Sequence, residues 1–252
     1  MSNKTNEYAL VLGGSSGLGL ATAQKLASLG YNLCIVHRDR KSDLDDLNEK
    51  IERLKSDGQT VLTLNKDALK AETIDEVIQC LPENSLRVMV HSIAKGTVKP
   101  LNKLTKADFE ITFNAMALSW WEWTDALIKA NRFADNASNI AFTSEGNTKV
   151  WEGYGPVSVA KAGLEALMRQ MAAEYASLGI RTNCVQAGVT QTKSFDMIPH
   201  SDKLAEMARR RNPFQRLTSP QEVANVVGWI CSDDAVWING TVIKADGGES
   251  LR

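Results

Sequence analysis

Cysteine is scarce: Cys34, Cys80, Cys184 and Cys231 are the four thiols in 252 residues. They stand far apart, with no CxxC pair and no Cys/His ligand spacing. Neither a disulfide framework nor a metal site is therefore expected, and each cysteine reads as a small buried residue. Charge of one sign is lacking too. Lys and Arg number 29 against 30 Asp and Glu, a formal charge of -1, without the electrostatic footprint of a general nucleic-acid binder. No long apolar run is present. The first, at 8–12, follows a short polar stretch and is too brief for a signal peptide or a membrane span, so a soluble cytoplasmic protein with no membrane partner is expected. Low-complexity segments, repeats of fixed period and Pro/Gly/Ser-rich linkers are missing as well, which excludes disorder and gives no boundary for a second domain. What is there is ordinary globular material, 43% apolar and 23% charged, enough for one large α/β domain or two small ones.

Short apolar, β-rich runs at 8–12, 31–36, 60–64, 86–91, 139–143, 181–186 and 241–245 predict seven strands. Longer amphipathic stretches at 17–29, 41–55, 73–80, 105–130, 156–178, 201–210 and 220–231 predict the helices between them. Alternation of this kind gives βαβ units, and strands apolar along their whole length suit a sheet covered on both faces. The expected class is α/β, with residues 1–252 forming a single doubly wound Rossmann domain: a seven-stranded parallel sheet with helices on both faces.

Directly after the first strand comes Gly13-Gly14-Ser15-Ser16-Gly17-Leu18-Gly19, and then a helical run. Missing side chains where a strand turns into a helix let backbone approach a pyrophosphate, and the free N–H groups and dipole of the helix N-terminus attract its charge. Gly13, Ser15, Ser16, Gly17, Leu18 and Gly19 are accordingly candidate cofactor residues, the alternative being a plain glycine turn. After the second strand the chain reads His37-Arg38-Asp39-Arg40-Lys41. Basic Arg38 and Arg40 suit the 2′-phosphate of NADPH, whereas Asp39 keeps the 2′-hydroxyl of NAD possible. Asp67, after the third strand, is placed to meet an adenine amino group or to be a common loop residue.

Tyr154 and Lys161 are seven apart, close to two helical turns. Gly155-Pro156 puts the helix start near Pro156 and leaves Tyr154 on the preceding loop. A tyrosine ordinarily titrates near 10, and an ammonium nearby favours the phenolate and lowers that value, making a proton donor suited to hydride transfer. Alone, the pair could equally be a packed ring and a surface charge; the Gly-rich turn upstream favours the chemical reading.

With these residues in place, the chain resembles the short-chain dehydrogenase/reductase family along essentially its whole length. The likeness rests on the turn at 13–19, Asn114 in the fourth helix, Ser144 after strand five, Lys161 and the closing Asp246-Gly247-Gly248. Three departures agree with one another. Val157, not tyrosine, stands four before Lys161; His91-Ser92-Ile93-Ala94 replaces Asn-Asn-Ala-Gly; and Ala187-Gly188 replaces Pro-Gly. Together they resemble the enoyl-acyl-carrier-protein reductase branch, more narrowly its third, NADPH-using bacterial type. Ser144 occupies the slot of the carbonyl-reducing members' serine, where several enoyl reductases carry a second tyrosine.

The resemblance implies hydride delivery from NADPH to the β-carbon of a 2-enoyl thioester, with Tyr154 stabilising the enolate and Lys161 holding the nicotinamide ribose and adding positive charge. Ser144 and Asn114 complete the catalytic set it implies. Ser92 and Ile93 would line the cofactor, with Gly188, Val189 (by its backbone) and Thr192 (by its hydroxyl) contacting the carboxamide and phosphates. A long segment at about 191–216, with Phe195, Met197, Ile198, Pro199, Met207 and Phe214, reads as a lid over an acyl chain or as a satellite apolar cluster. Arg209-Arg210-Arg211 reads as a docking patch for acidic acyl carrier protein or as a solvated turn. Trp120, Trp121 and Trp123 cannot all face one core, which with the resemblance predicts a homotetramer, the alternative being a dimer. Two further readings stay open: a carbonyl reductase of the same family, and a non-catalytic NADP-sensing protein on the same fold.

Overall fold

The computed structural model describes residues 6–54, 58–198 and 201–252. Seven strands form one parallel sheet: β1 (Tyr8–Leu12), β2 (Asn32–His37), β3 (Val61–Asn65), β4 (Leu86–His91), β5 (Phe133–Thr143), β6 (Ile180–Ala187) and β7 (Val242–Ala245). Their order is β3-β2-β1-β4-β5-β6-β7, so the chain winds outward from β1 in one direction, returns, and winds outward from β4 in the other. The switch between β1 and β4 opens a crevice at the carboxyl ends of the strands, where open α/β sheets bind ligands.

Alternate residues of each strand enter different cores. Leu10, Leu12, Cys34, Val36 and Met89 pack with Val77 and Leu81, with Trp120, Trp123 and Leu127, and with Leu164 and Met168. These side chains come from α3 (Ala71–Cys80) and the turn after it, α5 (Ser119–Lys129) and α6 (Gly155–Glu174). On the opposite face Ala9, Val11, Leu33, Ile35, Val88 and Val90 pack with Ala23 and Leu26 of α1 (Gly17–Ser28) and with Val223, Val227 and Ile230 of α9 (Pro220–Ile230). Two apolar layers explain why the strands are hydrophobic throughout. Among the described residues, no helix is long and apolar enough to cross a membrane.

The strands expected from sequence are all present; the differences are local. The fifth begins at Phe133, not near 139, because Asp135 and Asn136 read as turn residues; Asn136 takes a positive φ of 55° and the pairing with β4 shifts register there. The expected helix at 105–130 is three pieces: α4 (Lys106–Phe113), a π turn (Asn114–Leu118) and α5. Thr105 and Asp108 cap α4 reciprocally, which fixes its start. The expected helix at 41–55 opens as a 3-10 turn, becomes α2 (Leu44–Glu52), and its last predicted residue, Lys55, lies outside the described residues. In the 191–216 segment the chain forms α7 (Lys193–Asp196) and α8 (Ser201–Arg211), and Pro199 lies outside the described residues.

Candidate active site

The carboxyl ends of β1 to β6 supply the walls of one cleft of about 1210 Å³. Gly13 leaves β1 with φ of 82°, and a Cβ there would stand 2.6 Å from Ser92 O at the end of β4, so only glycine lets these backbones touch. Gly13, Ser15, Ser16, Gly17 and Leu18 line the cleft beside Ser92 and Ile93. Ser16 is the N-cap of α1 yet makes no side-chain cap, and no acidic residue occupies the first turn, so the orphan N–H groups face an anion-compatible space. Gly19 has a different task. A Cβ there would meet Gly13 O at 2.1 Å; the residue seats α1 on the turn and is not part of the cleft lining. These residues fit a pyrophosphate-bearing dinucleotide.

At the adenosine end Arg38 Nη1 donates to Asp67 Oδ2 at 2.9 Å, both lining the cleft. Burial disfavours the Asp67 anion, but the Leu69 N–H, then Arg38 and Lys95, outweigh it and hold its pKa below the usual value. Asp39 turns to His37 Nδ1 at 2.9 Å and, like Arg40, which is exposed on the rim, is not part of the lining. Of the two basic residues expected here, only Arg38 reaches the cleft.

Tyr154 is the N-cap of α6, as the Gly155-Pro156 step requires, and Lys161 lies two turns on. The Tyr154 hydroxyl and Ser144 Oγ share a hydrogen bond at 3.2 Å. Lys161 is buried and Nζ donates to Phe142 O at 2.7 Å. Burial pushes its pKa down to about 8, against the opposing pull of Cys184 and Glu165. The expected lowering of the tyrosine pKa is not found. Burial, reinforced by the Glu145 carboxylate, pushes Tyr154 up, and the Ser144 hydrogen bond only partly offsets this. Tyr154 in this state is a neutral hydroxyl donor, not an incipient phenolate.

Asn114 is partly buried at the start of the π turn and does not line the cleft; just past that turn, Ser119 Oγ bonds Ala115 O at 2.9 Å and His91 Nε2 at 2.8 Å. His91 is buried, and burial and then Lys161 drive its pKa down to about 3, so it is neutral. At the end of β6, Gly188, Val189 and Thr192 line the cleft. The Val189 backbone, expected to be open to a ligand, is engaged: its N–H donates to Glu249 Oε2 at 3.0 Å and its carbonyl accepts from Thr218 N–H at 3.1 Å. The Thr192 hydroxyl caps α7, accepting from Phe195 N–H at 3.2 Å.

Several site residues carry no sequence signal. A Cβ on Gly146 would stand 2.3 Å from Tyr154 Cε1, so this glycine makes room for the ring. Glu165 Oε1 accepts from Thr143 Oγ1 and Asn147 Nδ2, each at 2.6 Å, and pins the loop after β5 to α6. Val98, Trp151 and Leu204 join Phe195, Met197 and Ile198, which the sequence did single out, in an apolar wall of the cleft, whereas Met207 and Phe214 are exposed and do not line it. The three arginines part company. Arg210 pairs with Glu206 four residues back, whereas Arg211 turns inward to Glu145 and Glu249, so the expected three-residue docking patch does not exist as a unit.

Comparison with known proteins agrees with this fold. The chain matches the family described as Enoyl-(Acyl carrier protein) reductase over residues 13–250. A probable 2,4-dienoyl-CoA reductase, (2E)-enoyl-CoA-producing, of Bacillus subtilis (strain 168) is 30% identical over 257 residues, 96% of each chain. The crystal structure of an enoyl-[acyl-carrier-protein] reductase (NADH) from Aquifex aeolicus VF5 superposes with a TM-score of 0.86 at 24% identity, covering 98% of this chain and 97% of that one. A short-chain dehydrogenase from Burkholderia cenocepacia J2315 in complex with NADP gives 0.85 at 22%, covering 98% and 99%.

Proposed function

The chain belongs to the short-chain dehydrogenase/reductase family, an oxidoreductase family that binds a nicotinamide cofactor, and on that premise we propose that it reduces the carbon–carbon double bond of 2-enoyl thioesters with NADPH. The observation that carries this reading is the pair of hydroxyls on Tyr154 and Ser144, 3.2 Å apart, facing a cleft with an apolar wall. When bound, the nicotinamide supplies a hydride for the β-carbon of the substrate. The protein's part is to receive the negative charge that then develops on the thioester oxygen. A tyrosine whose pKa is pushed up stays protonated and donates a hydrogen bond to that oxygen, and buried cationic Lys161 adds a favourable field in a low-dielectric site. Trp151, Phe195 and Ile198 give an acyl chain apolar surface, and the 191–216 segment serves as its lid.

NADPH is favoured over NADH because Arg38 and Lys95 lie beside the adenosine end while Asp39 is engaged with His37. The thioester is carried by acyl carrier protein or coenzyme A, placing the enzyme in cytoplasmic fatty-acid synthesis. With Arg211 turned inward, an acidic carrier would meet Arg209 and Lys203 on the exposed side of α8. Likeness to a relative named as a 2,4-dienoyl-CoA reductase supports reduction of a carbon–carbon double bond in an unsaturated thioester. The subunits form a homotetramer.

Reduction of a ketone is the second reading, because the Ser144–Tyr154 hydroxyl pair could hold a ketone oxygen as well as a thioester oxygen. Paired assays separate them. NADPH oxidation is expected with trans-2-enoyl thioesters and not with the matching 3-oxoacyl thioesters. Tyr154→Phe is expected to lower the rate about 10² to 10³-fold while leaving NADPH binding intact. Turnover of the 3-oxoacyl series alone would reverse the assignment, and NADPH binding without turnover of either would indicate a sensor.

A further inference from the structure

Glu249 is 1% exposed, and both of its carboxylate oxygens are engaged. Oε2 accepts from Val189 N–H at 3.0 Å, and Oε1 accepts from Arg211 Nη2 at 2.8 Å. The same nitrogen donates to Glu145 Oε1 at 2.5 Å, while the guanidinium lies 4.9 Å from the centroid of the Trp151 ring. Glu145 directly follows Ser144 in the chain. One line of contacts thus runs from the end of β6, through the end of α8, to the loop that carries the two hydroxyls.

The carboxylate stands behind the wall and not in the cleft. Gly188 and Val189 line the cleft but Glu249 does not, and a Cβ on Gly188 would come within 3.0 Å of Glu249 Oε2. A carboxylate in such a place is costly unless its oxygens are satisfied. Burial and the neighbouring Glu145 and Asp246 push its pKa up, and the Val189 N–H and Arg211 counter them.

We propose that Glu249 is a positioning residue: it fixes the Gly188–Val189 wall for the nicotinamide end of the cofactor and, through Arg211 and Glu145, ties that wall to the Ser144–Tyr154 loop. The proposal rests on the cleft being a nicotinamide-dinucleotide site. Acting from behind, Glu249 does not compete with the ligand, and its loss loosens one end of the cleft only. The other end is built by the turn after β1 and by Arg38 and Asp67, none of which it touches.

The test is a binding titration on the full chain with NADPH and with 2′-phospho-ADP-ribose, the fragment that lacks nicotinamide. Glu249→Ala is expected to weaken NADPH roughly tenfold, the value of one hydrogen bond, and to leave the fragment within about twofold. Glu249→Gln keeps a side-chain oxygen for the Val189 N–H and is expected to restore most of the loss. Glu249→Asp, which draws the carboxylate back by one methylene, replaces the alanine variant if that variant does not fold. Equal weakening of both ligands would reduce Glu249 to general structural support. Unchanged or tighter NADPH binding, or no recovery with glutamine, would also overturn the proposal. A wild-type chain that binds neither ligand would overturn the cofactor reading itself, and this proposal with it.

Discussion

A methyl group at position 146 would overlap the Tyr154 ring, 2.3 Å from Cε1 and 2.6 Å from Cδ1. Gly146→Ala is therefore expected to displace the hydroxyl and cut the rate by about 10²-fold without changing cofactor affinity, checked by steady-state kinetics beside a binding titration. Lys161 makes a pH prediction. Its burial holds the pKa near 8, so the cation is present below that value and is lost as pH rises through it. kcat/KM, which reports the free enzyme, is expected to fall on the alkaline side around pH 8. Stability moves the other way. The unfolded chain keeps its lysine protonated up to the ordinary 10.5, so between about 8 and that value it binds more protons than the native state, and stability gains from this group as pH rises. A Lys161→Met variant should lose that slope in denaturant titrations. Tyr154 and Lys161 were both legible in the sequence, through their spacing and the Gly155-Pro156 step. The direction of the tyrosine shift was not, because it depends on how deeply the ring is buried and on Glu145 beside it.

Trp120 joins α5 to the sheet. Its indole Nε1 donates to Asn139 Oδ1 at 2.6 Å, Asn139 Nδ2 donates to Thr124 Oγ1 at 3.0 Å, and Thr124 Oγ1 returns to Trp120 O at 2.7 Å, all buried. Trp120→Phe would keep most of the apolar contact but leave the Asn139 oxygen unpaired, a loss of about 1–3 kcal/mol measurable by urea unfolding. The helix bearing Trp120 shows where pattern reading stops. Apolar spacing at 105–130 announced helix, and helix is what forms, but the π turn at Asn114–Leu118 adds residues without breaking the amphipathic face. The first half of β5 escaped for the opposite reason. Asp135 and Asn136 have the chemistry of a turn and keep it inside the strand: the registers with β4 and β6 skip both, Asn136 takes a φ of 55°, and the pairing on either side, Phe133 with Leu86 and Ala137 with Ile180, carries the strand past them.

At the scale of the molecule, the alternation of strand and helix was enough to announce the doubly wound sheet, because each strand needs two covered faces and each crossover supplies a helix. The site was legible where a strand end meets a glycine turn, at Gly13 to Leu18, and where a resemblance carried Ser92 and Gly188. It was not legible where it depends on side chains brought together across the sheet, as with Arg211 and Glu145, 66 residues apart in the chain. The proposed tetramer draws on what the two cores leave uncovered. Trp120 and Trp123 are fully buried within one chain, but Trp121 is 40% exposed and Trp237 96%. Light scattering at micromolar concentration is expected to give four times the 27.6 kDa chain mass, and a monomer would remove the tetramer from the reading.

The division of the core into two layers has an optical consequence. Both fully buried indoles, Trp120 and Trp123, belong to the layer under α3, α5 and α6, whereas the layer under α1 and α9 holds Tyr31 and no fully buried tryptophan. Tryptophan emission during denaturation would therefore weigh that layer more heavily, with half-buried Trp229 of α9 a weaker reporter of the other. Agreement between that signal and far-ultraviolet circular dichroism, which weighs all helices alike, would mean that the two halves melt together; divergence would resolve them as separate cooperative units on either side of one sheet.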